Sequence, residues 1–263
     1  SLSLAVGFDP EVISGKARTI YNLALPRSWV KPRKNWDEYI FDVPRKFVPE
    51  NLSIIRGSFE TENLDFEIIK SIVNEGKRRE TELFLYCKQM LMAYREFDYI
   101  IIDCPPNKLY LTQALLRASS FYLPVTIPDA LSRFGMPRLI KWVKGEIPEG
   151  DRPYLLGYIL NTLNRHGGTP GGMAYSQQSA QNWLITEIQK DLNVEEVNVI
   201  GSNPEIGTIP RLDSIARFLN RDDVTDFRVE FSRRTSGQPT VDECLVKIIK
   251  EVLRRIGGFN AKT

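Results

Sequence analysis

Apolar positions along the chain switch between two periods. From Glu80 to Phe97 the residues Leu83, Tyr86, Cys87, Met90, Leu91, Tyr94 and Phe97 recur every three or four positions, which predicts a helix with one inward face. Tyr99-Ile-Ile-Ile-Asp103 follows at once. Its unbroken β-branched run predicts a strand buried on both faces, as in a parallel sheet. Phe121–Pro128 and Tyr154–Leu160 read as two more such strands, and Asn51–Gly57 and Val197–Gly201 as shorter ones. Helical segments occupy 107–118, 132–144 and Gln177–Leu192, and a last helix carries the stripe Val241, Leu245, Ile248, Ile249, Val252 and Ile256. Strands alternating with helices predict an α/β fold, a doubly wound and mainly parallel sheet flanked by helices.

Two stretches fall outside this rhythm. Residues 1–25 hold a short amphipathic segment with Ile20, Leu23 and Leu25. Residues 26–50 hold Pro26, Pro32, Pro44 and Pro49 among Trp29, Trp36, Tyr39, Phe41 and Phe47. So many aromatics predict an ordered loop or lid, because a disordered linker would have fewer. A chain of 263 residues without an internal repeat is expected to form one domain over 1–263.

Composition narrows the partners only a little. Hydrophobic residues at 42% and charged residues at 26% are ordinary globular values. A net charge of +2 permits contact with nucleic acid without demanding it. Cys87, Cys104 and Cys244 are far apart, and His166 is the sole histidine, so a structural zinc site is not expected. Sparse thiols fit a reducing cytoplasm. No apolar run approaches the roughly 20 residues of a membrane span. Arg27–Lys34 and Arg133–Lys144 are basic without any acid, and Arg233, Arg234, Lys247, Lys250, Arg254 and Arg255 form a third group. Each is either a solvated face or a contact for a polyanion. Arg233, Arg234, Lys250 and Arg254 are the candidate DNA contacts.

The segment Phe97-Asp-Tyr-Ile-Ile-Ile-Asp-Cys-Pro-Pro-Asn107 carries the chemistry. An aspartate at the C-terminal tip of a parallel strand sits where α/β sheets bind ligands. Asp103 there suits Mg²⁺, a hard cation that takes oxygen ligands, and Pro105 stiffens the turn beside it. The plainer alternative is an aspartate that caps the next helix.

This segment resembles the switch II motif of the ParA family of deviant P-loop ATPases, a hydrophobic strand followed by Asp-Cys-Pro-Pro. The resemblance runs on in order. Leu109–Ala118 resembles the helix after switch II, and Leu123-Pro-Val-Thr-Ile-Pro128 with Gly135 and Leu139 resembles the next strand and helix. Gly157-Tyr-Ile-Leu-Asn161, with Arg165 following, resembles the strand that ends in an adenine-contacting asparagine. Thr208-Ile-Pro-Arg211 resembles the loop whose proline packs on the base, and Ser236-Gly-Gln-Pro239 the turn before the last helix. The resemblance implies ATP and Mg²⁺ as cofactors, with Asp103 at the metal and Pro105, Asn161, Pro210 and Arg211 at the nucleotide. It also implies a homodimer closing on ATP, non-specific DNA binding, a ParB-like activating partner and a place on the nucleoid. The activity implied is an ATP-dependent switch in plasmid or chromosome partitioning.

The family's Lys-Gly-Gly-x-Gly-Lys-Thr loop and its Asp-x-Asp-Pro-Gln switch I do not occur in the sequence. Gly15-Lys16-Ala17 lacks the spaced glycine and the metal-binding hydroxyl. This predicts a β-loop-α-β unit ahead of Ser1, whose absence leaves a hole in the sheet; a degenerate, non-hydrolysing scaffold is the alternative. A MinD-like membrane ATPase is a further one, because the last helix is amphipathic and basic.

Overall fold

Helix packing dominates the first half of the chain. A computed structural model describes residues 18–29, 35–43, 51–105, 109–127, 132–163, 175–210 and 240–261. The chain divides into two units, Ser1–Ser119 and Ser120–Thr263. In the first, α1 (Ile20–Ala24), α2 (Leu64–Glu75), α3 (Lys77–Ala93) and α4 (Tyr110–Ala118) surround a core of Leu23, Ile68, Leu83, Tyr86, Cys87 and Leu115. Helix α3 is the one that the spacing from Leu83 to Tyr94 predicts. Gly76, at φ 77°, breaks the chain between α2 and α3, a backbone angle that suits glycine. No expectation covered α2. Its inward Leu64, Ile68 and Ile72 are interleaved with exposed Phe66, Ile69 and Val73, which blurs the period.

The proline- and aromatic-rich stretch contributes to this core. Strand β1 (Ile40–Asp42) pairs antiparallel with β2 (Ser53–Ile55), the strand expected at 51–57. Trp29, Trp36 and Tyr39 are buried. The Trp29 indole donates to the Ala24 carbonyl at 3.1 Å, and the Tyr94 hydroxyl donates to the Trp36 carbonyl at 3.1 Å. Burial, with Asp37 and Glu96 near, lifts the Tyr94 hydroxyl to about 12, so it stays a donor.

The strand expected at Tyr99–Asp103 is not one. The run has no regular structure, and no described strand pairs with it. Phe97 and Ile102 lean on the core, while Tyr99, Ile100 and Ile101 stand 59%, 43% and 90% exposed. A ladder needs a partner backbone, and hydrophobic β-propensity alone does not supply one.

The second unit is where parallel pairing appears. Strand β3 (Phe121–Tyr122) pairs with β5 (Tyr154–Leu155), and β4 (Val125–Thr126), β6 (Tyr158–Leu163) and β7 (Glu205–Pro210) pair in the order β4-β6-β7, all parallel. The strands expected at 121–128 and 154–160 are thus each split, at Leu123-Pro124 and at Leu156-Gly157. Helix α5 (Ser132–Glu146) follows β4, α6 (Tyr175–Asp191) follows β6, and α8 (Val241–Asn260) packs over β7. Leu156, Ile159, Val199, Ile206, Ile248 and Phe259 form one of its clusters.

One expected strand is corrected outright. Val197–Gly201 belongs to helix α7 (Val194–Ile200). Asn193 caps it, its side chain accepting from the Glu196 amide at 2.8 Å, while the Glu196 carboxylate accepts from the Asn193 amide at 2.9 Å. This reciprocal capping box overrides the strand preference of three valines.

Candidate nucleotide site

Asp103, at the end of this run, is exposed, next to exposed Cys104 and Pro105. Partial desolvation of the sulfur, with the Asp103 carboxylate beside it, raises the Cys104 thiol above its usual range and keeps it protonated. Ile102, the residue before Asp103, packs inward against the core.

The second unit positions the other candidates by strand register. Leu160 lies opposite Thr208 and Leu163 opposite Pro210, with an irregular step between the two pairs. Asn161, half-buried, sits in that step. The strand pair therefore brings Asn161 and the Thr208–Pro210 backbone together. Arg165, Arg211, Arg233 and Arg234 lie outside the described residues.

The opposite end of the same strands is locked by α8. Gly157 opens β6 at φ 117°, and a Cβ there would collide with the Pro204 carbonyl oxygen and with Arg255 Nη1. Arg255 is 2% exposed. Its guanidinium donates to the carbonyls of Leu156 at 2.7 Å, Asn203 at 3.0 Å and Pro204 at 3.2 Å, and to the Glu251 carboxylate at 2.7 Å. The sequence places Arg255 in a surface basic group. In the fold it is a buried clamp between the starts of β6 and β7. The signal was present: Arg255 falls on the face of Cys244, Ile248 and Phe259, four residues after Glu251.

Of the candidate DNA contacts, Lys250 is exposed. Arg254 is held by Glu251 through two bonds of 2.8 and 2.7 Å and donates to the Val199 carbonyl at 3.3 Å. Hydrogen bonds from Arg254 and Arg255 hold the Glu251 carboxyl down at about 2.

Among the described residues no three His, Cys, Asp or Glu side chains cluster as a metal site. One carboxylate is still compatible with Mg²⁺, which keeps several waters and binds through one or two carboxylates plus substrate phosphates. Asp103 fits that demand, and Asn161 offers both an acceptor and a donor to a base edge. Bound Mg²⁺–nucleotide would supply a polarised phosphoryl group.

Parallel strands with helices between them define an α/β fold. That fold is shared, at TM-score 0.67 and 15% identity, with apo McdA of Cyanothece, covering 97% of this chain and 83% of that one. It is shared at TM-score 0.56 and 17% identity with the cell division ATPase MinD of Pyrococcus furiosus, covering 96% and 80%. At such identities the likeness shows the fold alone. Residues 8–149, more than half of the chain, match the family model described as AAA domain, and the chain belongs to that family. A ParA family protein of Chlamydia pneumoniae is 28% identical over 127 residues, covering 48% of this chain and 49% of that protein. The sporulation initiation inhibitor protein Soj of Bacillus subtilis is 33% identical over 91 residues, covering 34% and 32%. The chain spans about half the length, or less, of the curated relatives it matches.

Proposed function

We propose that the protein is a ParA-like ATPase that acts as an ATP-dependent dimerisation switch in plasmid or chromosome partitioning and binds DNA non-specifically. Asp103 holds the water shell of Mg²⁺ and senses the terminal phosphate. Pro105 stiffens that turn. Asn161, with Pro210 and Arg211, holds adenine. A ParB-like partner triggers hydrolysis, and the protein works in the cytoplasm on the nucleoid. The observation that supports the reading is the β6–β7 register: Asn161 stands in the step between Leu160–Thr208 and Leu163–Pro210.

The test uses a form of the protein carrying a phosphate-binding loop. Asp103→Ala is expected to abolish ATP turnover, because the metal shell loses its carboxylate. Near-parental turnover would remove Asp103 from the site. Asn161→Ala is expected to weaken ATP binding and narrow the preference for ATP over GTP. Unchanged affinities for both would refute the adenine assignment.

A second reading, a membrane-associated positioning ATPase, has one observation in its favour. On α8, Val246, Ile249 and Leu253 are 42%, 55% and 43% exposed, beside exposed Lys247 and Lys250. An apolar strip bordered by cations suits an anionic bilayer. Flotation with anionic vesicles tests it, and protein remaining at the bottom of the gradient rejects it.

A further inference from the structure

We propose that the outward face of α5, with the adjoining face of α6, is the surface on which this protein holds the phosphate backbone of duplex DNA. The inference names a partner surface for the DNA-binding part of the proposed function and rests on that part alone.

Helix α5 has two different sides. Met136, Ile140 and Val143 are buried at 4%, 0% and 1% exposure. Lys144 also turns inward and pairs with the buried Glu196 at 3.2 Å. Exposed Phe134, Arg138, Lys141 and Gly145, with half-buried Trp142, occupy the other side. Their spacing of four, three and four residues puts them on one continuous stripe. No acidic residue occurs between Ser132 and Gly145. Arg138 and Lys141 form no ion pair among the described residues, unlike Arg254, which Glu251 holds.

Helix α6 adjoins this face at Trp183. The Phe134 and Trp183 rings meet edge-on at 5.4 Å, which ties the two helices together. Gln178 and Asn182 are exposed on α6, and Glu187 is neutralised by Lys190. Two glycines add an independent observation. Gly135 and Gly145 have open space where a Cβ would stand and no positive φ, so neither packing nor turning requires them. Glycine is a poorer helix former than alanine. Glycine at these positions leaves the helix surface low enough for another backbone to approach closely.

Charge complementarity selects the occupant. Duplex DNA presents one negative charge per roughly 1.7 Å of axis, and its phosphates are bound by Arg, Lys, Asn and Gln side chains. A bilayer needs a broad apolar face, and Phe134 at 44% is the one large apolar residue of α5 that is well exposed.

The experiment is fluorescence anisotropy of a labelled random duplex with the 263-residue chain, titrated between about 50 and about 200 mM salt. Arg138→Glu with Lys141→Glu is expected to weaken binding by about tenfold or more, and to lower the slope of log affinity against log salt by about 2. Lys70→Glu with Lys77→Glu, in the first unit, makes the same charge change and is expected to bind like the parent. Gly145→Gln keeps the charge and is expected to weaken binding without loss of thermal stability. All four cations are exposed, and circular dichroism checks that each variant stays folded. An α5 variant that binds like the parent overturns the surface while leaving DNA binding intact. A parent that binds anionic vesicles and no duplex overturns the surface and the DNA reading together.

Discussion

Arg255 is basic in the sequence and buried in the fold, and its partners account for both. Removing it leaves the carbonyls of Leu156, Asn203, Pro204 and Glu205 short of a donor and leaves Glu251 to Arg254 alone. Breaking a buried charge–carboxylate arrangement from one side costs about 3 to 5 kcal/mol. Arg255→Met is therefore expected to lower the urea midpoint sharply, and a loss below about 1 kcal/mol would show the clamp to be idle. The same cluster gives a pH dependence with a definite sign. Glu251 is held at about 2 in the fold, and an unfolded glutamate titrates near about 4.3. Its contribution is complete above the unfolded value and is lost as pH falls from there toward 2. Glu251→Gln should flatten the acid limb of the stability curve in that window, and an unchanged limb would assign the acid loss to other carboxylates. Strand tips and a family-like order of motifs point to Asp103 and Asn161; of the two, Asn161 lies in β6, while the run that ends at Asp103 pairs with no described strand. Arg255 was misread because its charge was weighed and its position on the helix face was not.

At the scale of elements, the long helices and the parallel pairing were legible and the breaks were not. Helices α3, α4, α5, α6 and α8 fall where apolar spacing puts them. Pro124 and Gly157 mark where two expected strands divide, since proline cannot donate to a ladder and Gly157 takes a positive φ. Helix α7 was missed because a capping box of Asn193 and Glu196 outweighs valine-rich composition. Tyr99–Asp103 is the instructive case. Its isoleucines have the composition of a central strand, yet no described strand lies against them. The expectation of a β-loop-α-β unit ahead of Ser1 turns this into a measurement. In the 263-residue chain the amides of Ile100, Ile101 and Ile102 should exchange with deuterium about as fast as a frayed segment. In a form carrying the added unit they should be protected by at least about tenfold, as core strands are. Fast exchange in both forms would mean that the added unit does not pair with this run.

At the scale of the whole molecule, the proposed switch would convert nucleotide binding into DNA affinity. The charge does little by itself, because the net value is only +2. A single α5 face makes few phosphate contacts and releases few counterions, so one copy should bind weakly. Two copies closed on ATP would present two such faces to one duplex, and joining two sites raises overall affinity by about 10²- to 10⁴-fold without any new contact. The expected outcome, in a form carrying the phosphate-binding loop, is a gain in duplex affinity of about 10² or more on adding ATP and Mg²⁺. The slope of log affinity against log salt should roughly double at the same time, because the number of phosphate contacts doubles. Anisotropy with and without ATP, read alongside sedimentation of the same samples, separates the possibilities. A gain that appears with dimers and carries the steeper slope supports the switch. Equal affinity without nucleotide removes ATP control, and a gain in a species that stays monomeric moves the effect from avidity to a change within one copy.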